Sequence, residues 1–185
     1  MLDGEGRLIK YLRLSVTDRC NCRCTYCMPA GGVPMLGHRD ILSFEGLTEV
    51  VAACAQLGVR KVRLTGGEPL LQIDSALIDA LHARGFTIAV ETNGTIAAPP
   101  GLDWVCVSPK AGSELVVRKG HELKLVYPQA ENAPEDFAGL EFERFSLQPL
   151  DGPDIAQSTQ AAIAYCLAHP QWRLSVQTHK TLGIR

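Results

Sequence analysis

The segment RCNCRCTYC, residues 19–27, sets four thiols inside nine positions, while the rest of the 185-residue chain carries only three more. A stretch this short has no second layer in which to bury them, so core packing does not account for all four. Cys20, Cys24 and Cys27 have CxxxCxxC spacing. That spacing wraps three irons of a four-iron, four-sulfur cluster and leaves the fourth iron without a protein ligand, open to chemistry. Zinc is the alternative. A structural zinc takes four ligands, usually as two separated pairs, and Cys22 completes such a set only in cramped form, one residue from Cys20 and one from Cys24. Seven cysteines is an odd number, and the start MLDGEGRLIKYLRL has neither an apolar leader core nor a small-residue cleavage site. Both argue against a disulfide framework and for metal or redox use in the cytosol. Cys54, Cys106 and Cys166 fall on apolar faces and read as small buried hydrophobes.

An open iron needs a bidentate donor, and further polar groups recur at intervals along the chain: TGGEP at 65–69, ETNG at 91–94, SPK at 108–110, QPLD at 148–151 and QTHK at 177–180. Gly66 and Gly67 let backbone carbonyls approach a ligand ammonium closely, and Glu68 adds an acceptor. Ser108 and Lys110 supply a hydroxyl and a cation. Gln148 and Asp151 can accept from a ribose or an amine. Together they suit an amino acid carrying a nucleoside. Taken singly, each group is also an ordinary turn signal.

Their positions follow from the elements between them. Short aliphatic or β-branched runs at 11–17, 61–65, 87–92, 103–108, 122–127, 144–149 and 173–178 predict seven strands. Helical patterns lie between several of them. In residues 43–58, Ser43 is placed to cap, Leu47, Val50, Val51, Cys54 and Leu57 share a face, and Gly58 stops the helix. Residues 73–85 and 154–170 repeat the pattern, stopped by Gly85 and Pro170. Strands alternating with helices predict a parallel α/β sheet with right-handed crossovers. The connections around IAAPPG and AGSELVVRKG are too short for full helices. One domain over residues 1–185 follows, an incomplete β/α barrel, smaller than the roughly 250 residues of a complete one. In such folds ligands bind at the carboxyl ends of the strands, where each polar group falls.

With 18 basic and 20 acidic residues the net charge is −2, which leaves no positive field to hold a nucleic acid backbone. No run of about 18 apolar residues predicts a membrane span.

CxxxCxxC followed by GGEP on the second strand resembles the radical S-adenosylmethionine (SAM) enzymes. That resemblance implies a 4Fe–4S cluster on Cys20, Cys24 and Cys27. The cluster would chelate SAM through its methionine amino and carboxylate groups and cleave it to a hydrogen-abstracting 5′-deoxyadenosyl radical. Within the superfamily, residues 1 to about 71 resemble the GTP 3′,8-cyclases of molybdenum cofactor synthesis. From about 65 to 185, AVETNGT, LDWVCVSPKA, GHELKLVYPQ, LQPLDGP and HPQWRLSVQTHKTLGIR resemble the 7-carboxy-7-deazaguanine synthases of the queuosine pathway. The chain has no second cysteine triplet for the additional cluster of the cyclases, and Gln72 stands where they have Arg after GGEPLL. It is small and ends at its last strand, as the synthases do.

The synthase resemblance implies that SAM is bound by Tyr26, Cys27, Met28, Gly67, Ser108, Pro109, Lys110, Gln148, Pro149, Leu150 and Asp151. It implies a 6-carboxy-tetrahydropterin substrate held by Asp3, Gly4, Glu5, Thr65, Glu91 and Arg185, with Glu91 and Asn93 catalytic. It also implies Mg2+, an electron donor such as flavodoxin, and a homodimer. Two positions depart from the family. Pro29 replaces the magnesium-binding Thr, and Val16 replaces the Arg expected for the pterin carboxylate, leaving Arg13 or Arg19 to substitute.

Overall fold

The computed structural model describes residues 2, 4–24, 26, 27, 34, 36, 37 and 39–178. Its strands are β1 (Tyr11–Ser15), β2 (Lys61–Thr65), β3 (Thr87–Thr92), β4 (Trp104–Val107), β5 (Lys119–Tyr127), β6 (Glu141–Pro149) and β7 (Trp172–Leu174). The helices are α1 (Phe44–Gln56), α2 (Ser75–His82) and α3 (Ile155–Ala168). The seven strands follow one another in sequence order across one sheet. This is the open parallel α/β architecture predicted for an incomplete barrel, and the β3–β4 and β4–β5 connections carry no helix. Among the described residues no helix is long and apolar enough to cross a membrane.

The chain forms two compact units. In the first, comprising Met1–Asn21, Val33–Thr92 and Ile96–Val105, β1, β2 and β3 pair in parallel with Leu12, Val62 and Ile88 in register. Val62, Leu64, Ile88 and Val90 are fully buried on one face, each contributing about 1.5–3 kcal/mol. The Ser43 hydroxyl accepts from Gly46 N at 3.2 Å and starts α1 as expected, and the Asp74 carboxylate does the same for α2 through Leu77 N at 2.9 Å. The predicted apolar face of α1 is narrower than expected. Leu47 and Val51 are buried, whereas Val50 and Leu57 are exposed. Leu57 is the C-cap and lies past the last helical turn, and Val50 flanks the stripe set by the i, i+4 pair.

The second unit comprises Cys22–Gly32, Asn93–Thr95 and Cys106–Arg185. Here β5 and β6 pair from Lys119 and Glu141 to Tyr127 and Pro149, each beginning three residues before the predicted strand. Leu123, Leu125 and Leu147 are fully buried, and the Phe145 and Trp172 rings pack at 5.2 Å. β7 is shorter than the predicted run at 173–178. Its ladder with β6 closes with Ser175 N donating to Leu147 O at 2.8 Å. The next parallel bond would need an N–H at Pro149, which proline lacks.

Candidate functional site

Two sets of predicted site residues take shape, one in each unit. In the first, the GGE turn after β2 is built against the segment leading to Cys20. Gly66 and Gly67 have φ of 91° and 40°, a region open to glycine and costly for other residues. A Cβ on Gly66 would lie 2.5 Å from Thr17 O, and one on Gly67 would lie 2.5 Å from the Arg19 carbonyl carbon. Glu68 N donates to Arg19 O at 2.7 Å, so the glycines are required by the close approach of the chain's own backbone. Glu68, expected as an acceptor for a ligand, is instead spent on the protein. It is completely buried, and its Oε1 accepts from Leu70 N at 3.0 Å and the Thr92 hydroxyl at 2.6 Å, capping the turn Pro69–Leu71.

Glu91 sits on β3 between two guanidiniums. Arg13 donates to its Oε2 and Arg63 to its Oε1, both at 2.6 Å. Strand alternation places all three on the face opposite Val62, Leu64, Ile88 and Val90, and the register Arg13↔Arg63↔Ala89 brings them within reach. Glu91 side-chain exposure is 14%, against 56% for Arg13 and 30% for Arg63. Thr65 ends β2, half-buried. Arg63 was not anticipated from sequence; the available signal was a charge at the polar phase of the run KVRLT. Val16 is buried, and its N–H extends the β1–β2 ladder to Thr65 O. Glu91→Gln keeps the shape but removes the negative charge between the two guanidiniums and sets a donor amide against one of them, and is expected to cost about 2 kcal/mol. Urea unfolding of the metal-free protein checks this; a change within about 0.5 kcal/mol, as for an ordinary surface substitution, would show the triad to be structurally idle.

Gly4 and Glu5 are exposed on a turn closed by the Leu2–Leu8 bridge. Asp3, Met28, Pro29 and Arg185 lie outside the described residues.

In the second unit the structure gathers Cys24, Tyr26, Cys27, Ser108 and Lys110. Cys27 N donates to Cys24 O at 3.0 Å, turning the chain so that the two thiols lie a single turn apart. Lys110 Nζ donates to the Ser108 hydroxyl at 2.9 Å and lies 5.7 Å from the centre of the Tyr26 ring, a cation–π contact. Burial lowers the Lys110 pKa, opposed by the thiols of Cys24 and Cys27. Burial, with the neighbouring Cys24, raises that of the Tyr26 hydroxyl. A cation held beside soft sulfur donors fits an anionic thiolate-bound cluster. Among the described residues no three of His, Cys, Asp or Glu are drawn together closely enough to hold a metal ion; metal sites commonly assemble with their metal. Pro109 is buried beside this group. Gln148, Pro149, Leu150 and Asp151 follow one another off the carboxyl end of β6, where Leu150 N donates to Tyr127 O at 2.7 Å and Asp151 is exposed.

A family model described as the radical SAM superfamily matches residues 14–135, which sets the class of this fold and its cysteine loop. The 7-carboxy-7-deazaguanine synthase of Bradyrhizobium diazoefficiens is 66% identical over 172 residues, covering 91% of this chain and 81% of that protein. The structure of QueE from Escherichia coli superposes with a TM-score of 0.69 at 27% identity, covering 89% of this chain and 84% of that one. The GTP 3′,8-cyclase of Peptoclostridium acidaminophilum is 58% identical over 99 residues, covering 52% of this chain and 30% of that protein. The chain belongs to the radical SAM superfamily and, within it, to the 7-carboxy-7-deazaguanine synthase family. The synthase likeness thus reaches well beyond residues 65–185.

Proposed function

We propose that the protein is a 7-carboxy-7-deazaguanine synthase, a radical SAM lyase that contracts the ring of 6-carboxy-5,6,7,8-tetrahydropterin with loss of ammonia. The observation that carries this is the 66% identity to such a synthase over 91% of the chain. When bound, a 4Fe–4S cluster and SAM supply the hydrogen-abstracting radical chemistry. Residues 1–185 act as one catalytic domain. Cys20, Cys24 and Cys27 hold the cluster. Tyr26, Ser108, Pro109, Lys110 and the backbone of Gly67 and Gln148–Asp151 hold SAM. Thr65, Glu91 and Asn93 with the Gly4–Glu5 turn face the pterin, where the guanidiniums of Arg13 and Arg63 offer the carboxylate the partner that Val16 cannot. Asp3, Met28 and Arg185 complete these sets by resemblance. The electron comes from a flavodoxin-type donor, and the working form is a cytoplasmic homodimer.

The test is anaerobic reconstitution with iron, sulfide, reductant and SAM, with the pterin or GTP offered and products read by mass spectrometry. Deazapurine from the pterin is expected. Intact pterin with a cyclised GTP product would favour the cyclase reading. Cleavage of SAM with neither product would mean a working cofactor site joined to a broken substrate site.

Magnesium completes the proposal. A hard cation neutralises the pterin carboxylate through oxygen ligands and keeps several waters. Pro29 removes one hydroxyl from that shell and stiffens the loop. Weak magnesium affinity and low turnover are expected, with Pro29→Thr raising turnover at limiting magnesium. A titration of both proteins that saturates at the same concentration would remove Pro29 from the site.

A further inference from the structure

Cys22, the fourth thiol of the knot, is tied to the chain's own polar groups. Asn93 Nδ2 donates to its sulfur at 3.3 Å, and the sulfur lies 3.7 Å from the Ser113 hydroxyl. Ser113 in turn donates to the Lys110 carbonyl at 2.8 Å. At its other end the Asn93 carboxamide accepts from Thr95 N at 3.0 Å and from the Thr95 hydroxyl at 2.7 Å, which fixes the orientation of its amide. The Ser113 hydroxyl lies between the Cys22 sulfur and the Lys110 carbonyl and ties the two together. The result is a continuous polar chain, amide to sulfur to hydroxyl to carbonyl. Cys22 also precedes, by two residues, the turn in which Cys27 N bonds Cys24 O, and Tyr26 within that turn contacts Lys110.

We infer that Cys22 is a clamp and not a metal ligand: its sulfur fastens the cysteine loop to the loops after β3 and β4, making Cys22 and Ser113 positioning residues and giving Asn93 that role beside the one proposed for it above. The inference rests on the radical SAM reading only in taking Cys24 and Cys27 as the ligands whose loop is held. The experiment has two arms. In metal-free protein, alkylation of individual cysteines is followed by peptide mass spectrometry. Asn93→Ala and Ser113→Ala are each expected to speed modification of Cys22 about fivefold, the equivalent of one net hydrogen bond, with Cys54 unchanged as a check on folding. In reconstituted protein, Cys22→Ala is expected to start with wild-type iron content and lose it to a chelator several-fold faster, while Cys22→Ser stays within about twofold of wild type. Low initial iron in Cys22→Ala and Cys22→Ser alike would make Cys22 a ligand and overturn the inference. Unchanged alkylation of Cys22 in both variants would overturn it as well. Failure of the wild type to take up any cluster would count against the proposed function, leaving the alkylation arm to decide on the clamp.

Discussion

Cys24→Ser is expected to strip the reconstituted protein of its iron and brown colour and to reduce deazapurine formation on the order of 10³-fold or more, since even residues supporting a metal ligand cost 10–100-fold. Serine is nearly the same size, so the loss isolates the sulfur. Cys24 is half-buried, its carbonyl is engaged by Cys27 N, and its sulfur opposes the lowering of the Lys110 pKa by burial. A hydroxyl there keeps the turn and removes the soft donor that iron requires. The companion Cys22→Ser should retain iron content close to wild type, because its sulfur is occupied by Asn93 and Ser113. Iron analysis and electron paramagnetic resonance of the two proteins, prepared side by side without oxygen, check the pair. Equal loss from both would point to a four-thiolate site, and zinc in place of iron would end the radical reading.

Gly67→Ala is expected to be the most destabilising single-methyl change in the first unit, by about 3–5 kcal/mol, the sum of left-handed backbone strain and overpacking. Its φ is 40°, and the added Cβ would meet the Arg19 carbonyl oxygen, with the Arg19 carbon at 2.5 Å and nitrogen at 2.9 Å. None of these is the far end of a flexible side chain, so relief requires the segment before Cys20 to move. A loss of this size is a large share of a typical domain's 5–15 kcal/mol. Gly85→Ala provides the control. Its φ of 77° is equally left-handed, but nothing lies within 4 Å of the new Cβ, so only about 1 kcal/mol of backbone strain applies. Urea midpoints of the metal-free proteins separate the two. Equal shifts would show that the Arg19 contact yields freely and that the GGE turn does not brace the segment before Cys20.

Much of the architecture was legible from short stretches. The runs at 61–65 and 87–92 coincide with β2 and β3, and Ser43 caps α1 as its position before an apolar helical pattern foretold. These features depend on side-chain alternation, helix period and capping, all decided within about ten residues. The cysteine spacing and GGEP were equally local, and they named the class before any fold was in view. Cys106, expected to be a small buried hydrophobe, is 1% exposed.

Other outcomes required partners distant in sequence. Glu91 carries no mark in ETNG that tells whether its carboxylate is spent on substrate or on protein; the register of β1, β2 and β3 brings Arg13 and Arg63 to it from 78 and 28 residues away. Glu68 reads as a ligand acceptor until Thr92, 24 residues on, is folded against it. Spacing sets Cys22 apart from its three neighbours, but what its sulfur holds is unreadable until Asn93 and Ser113 reach it across 71 and 91 residues. Even the end of β7 was decided elsewhere, by the absent N–H of Pro149 on the neighbouring strand. The sequence by itself determined the order of elements, the cluster motif and the family, because those are written in backbone preference and spacing. The tertiary structure alone decided which polar atoms are used up by the protein, because a hydrogen bond or ion pair depends on ångström-scale proximity that only strand register and loop packing create.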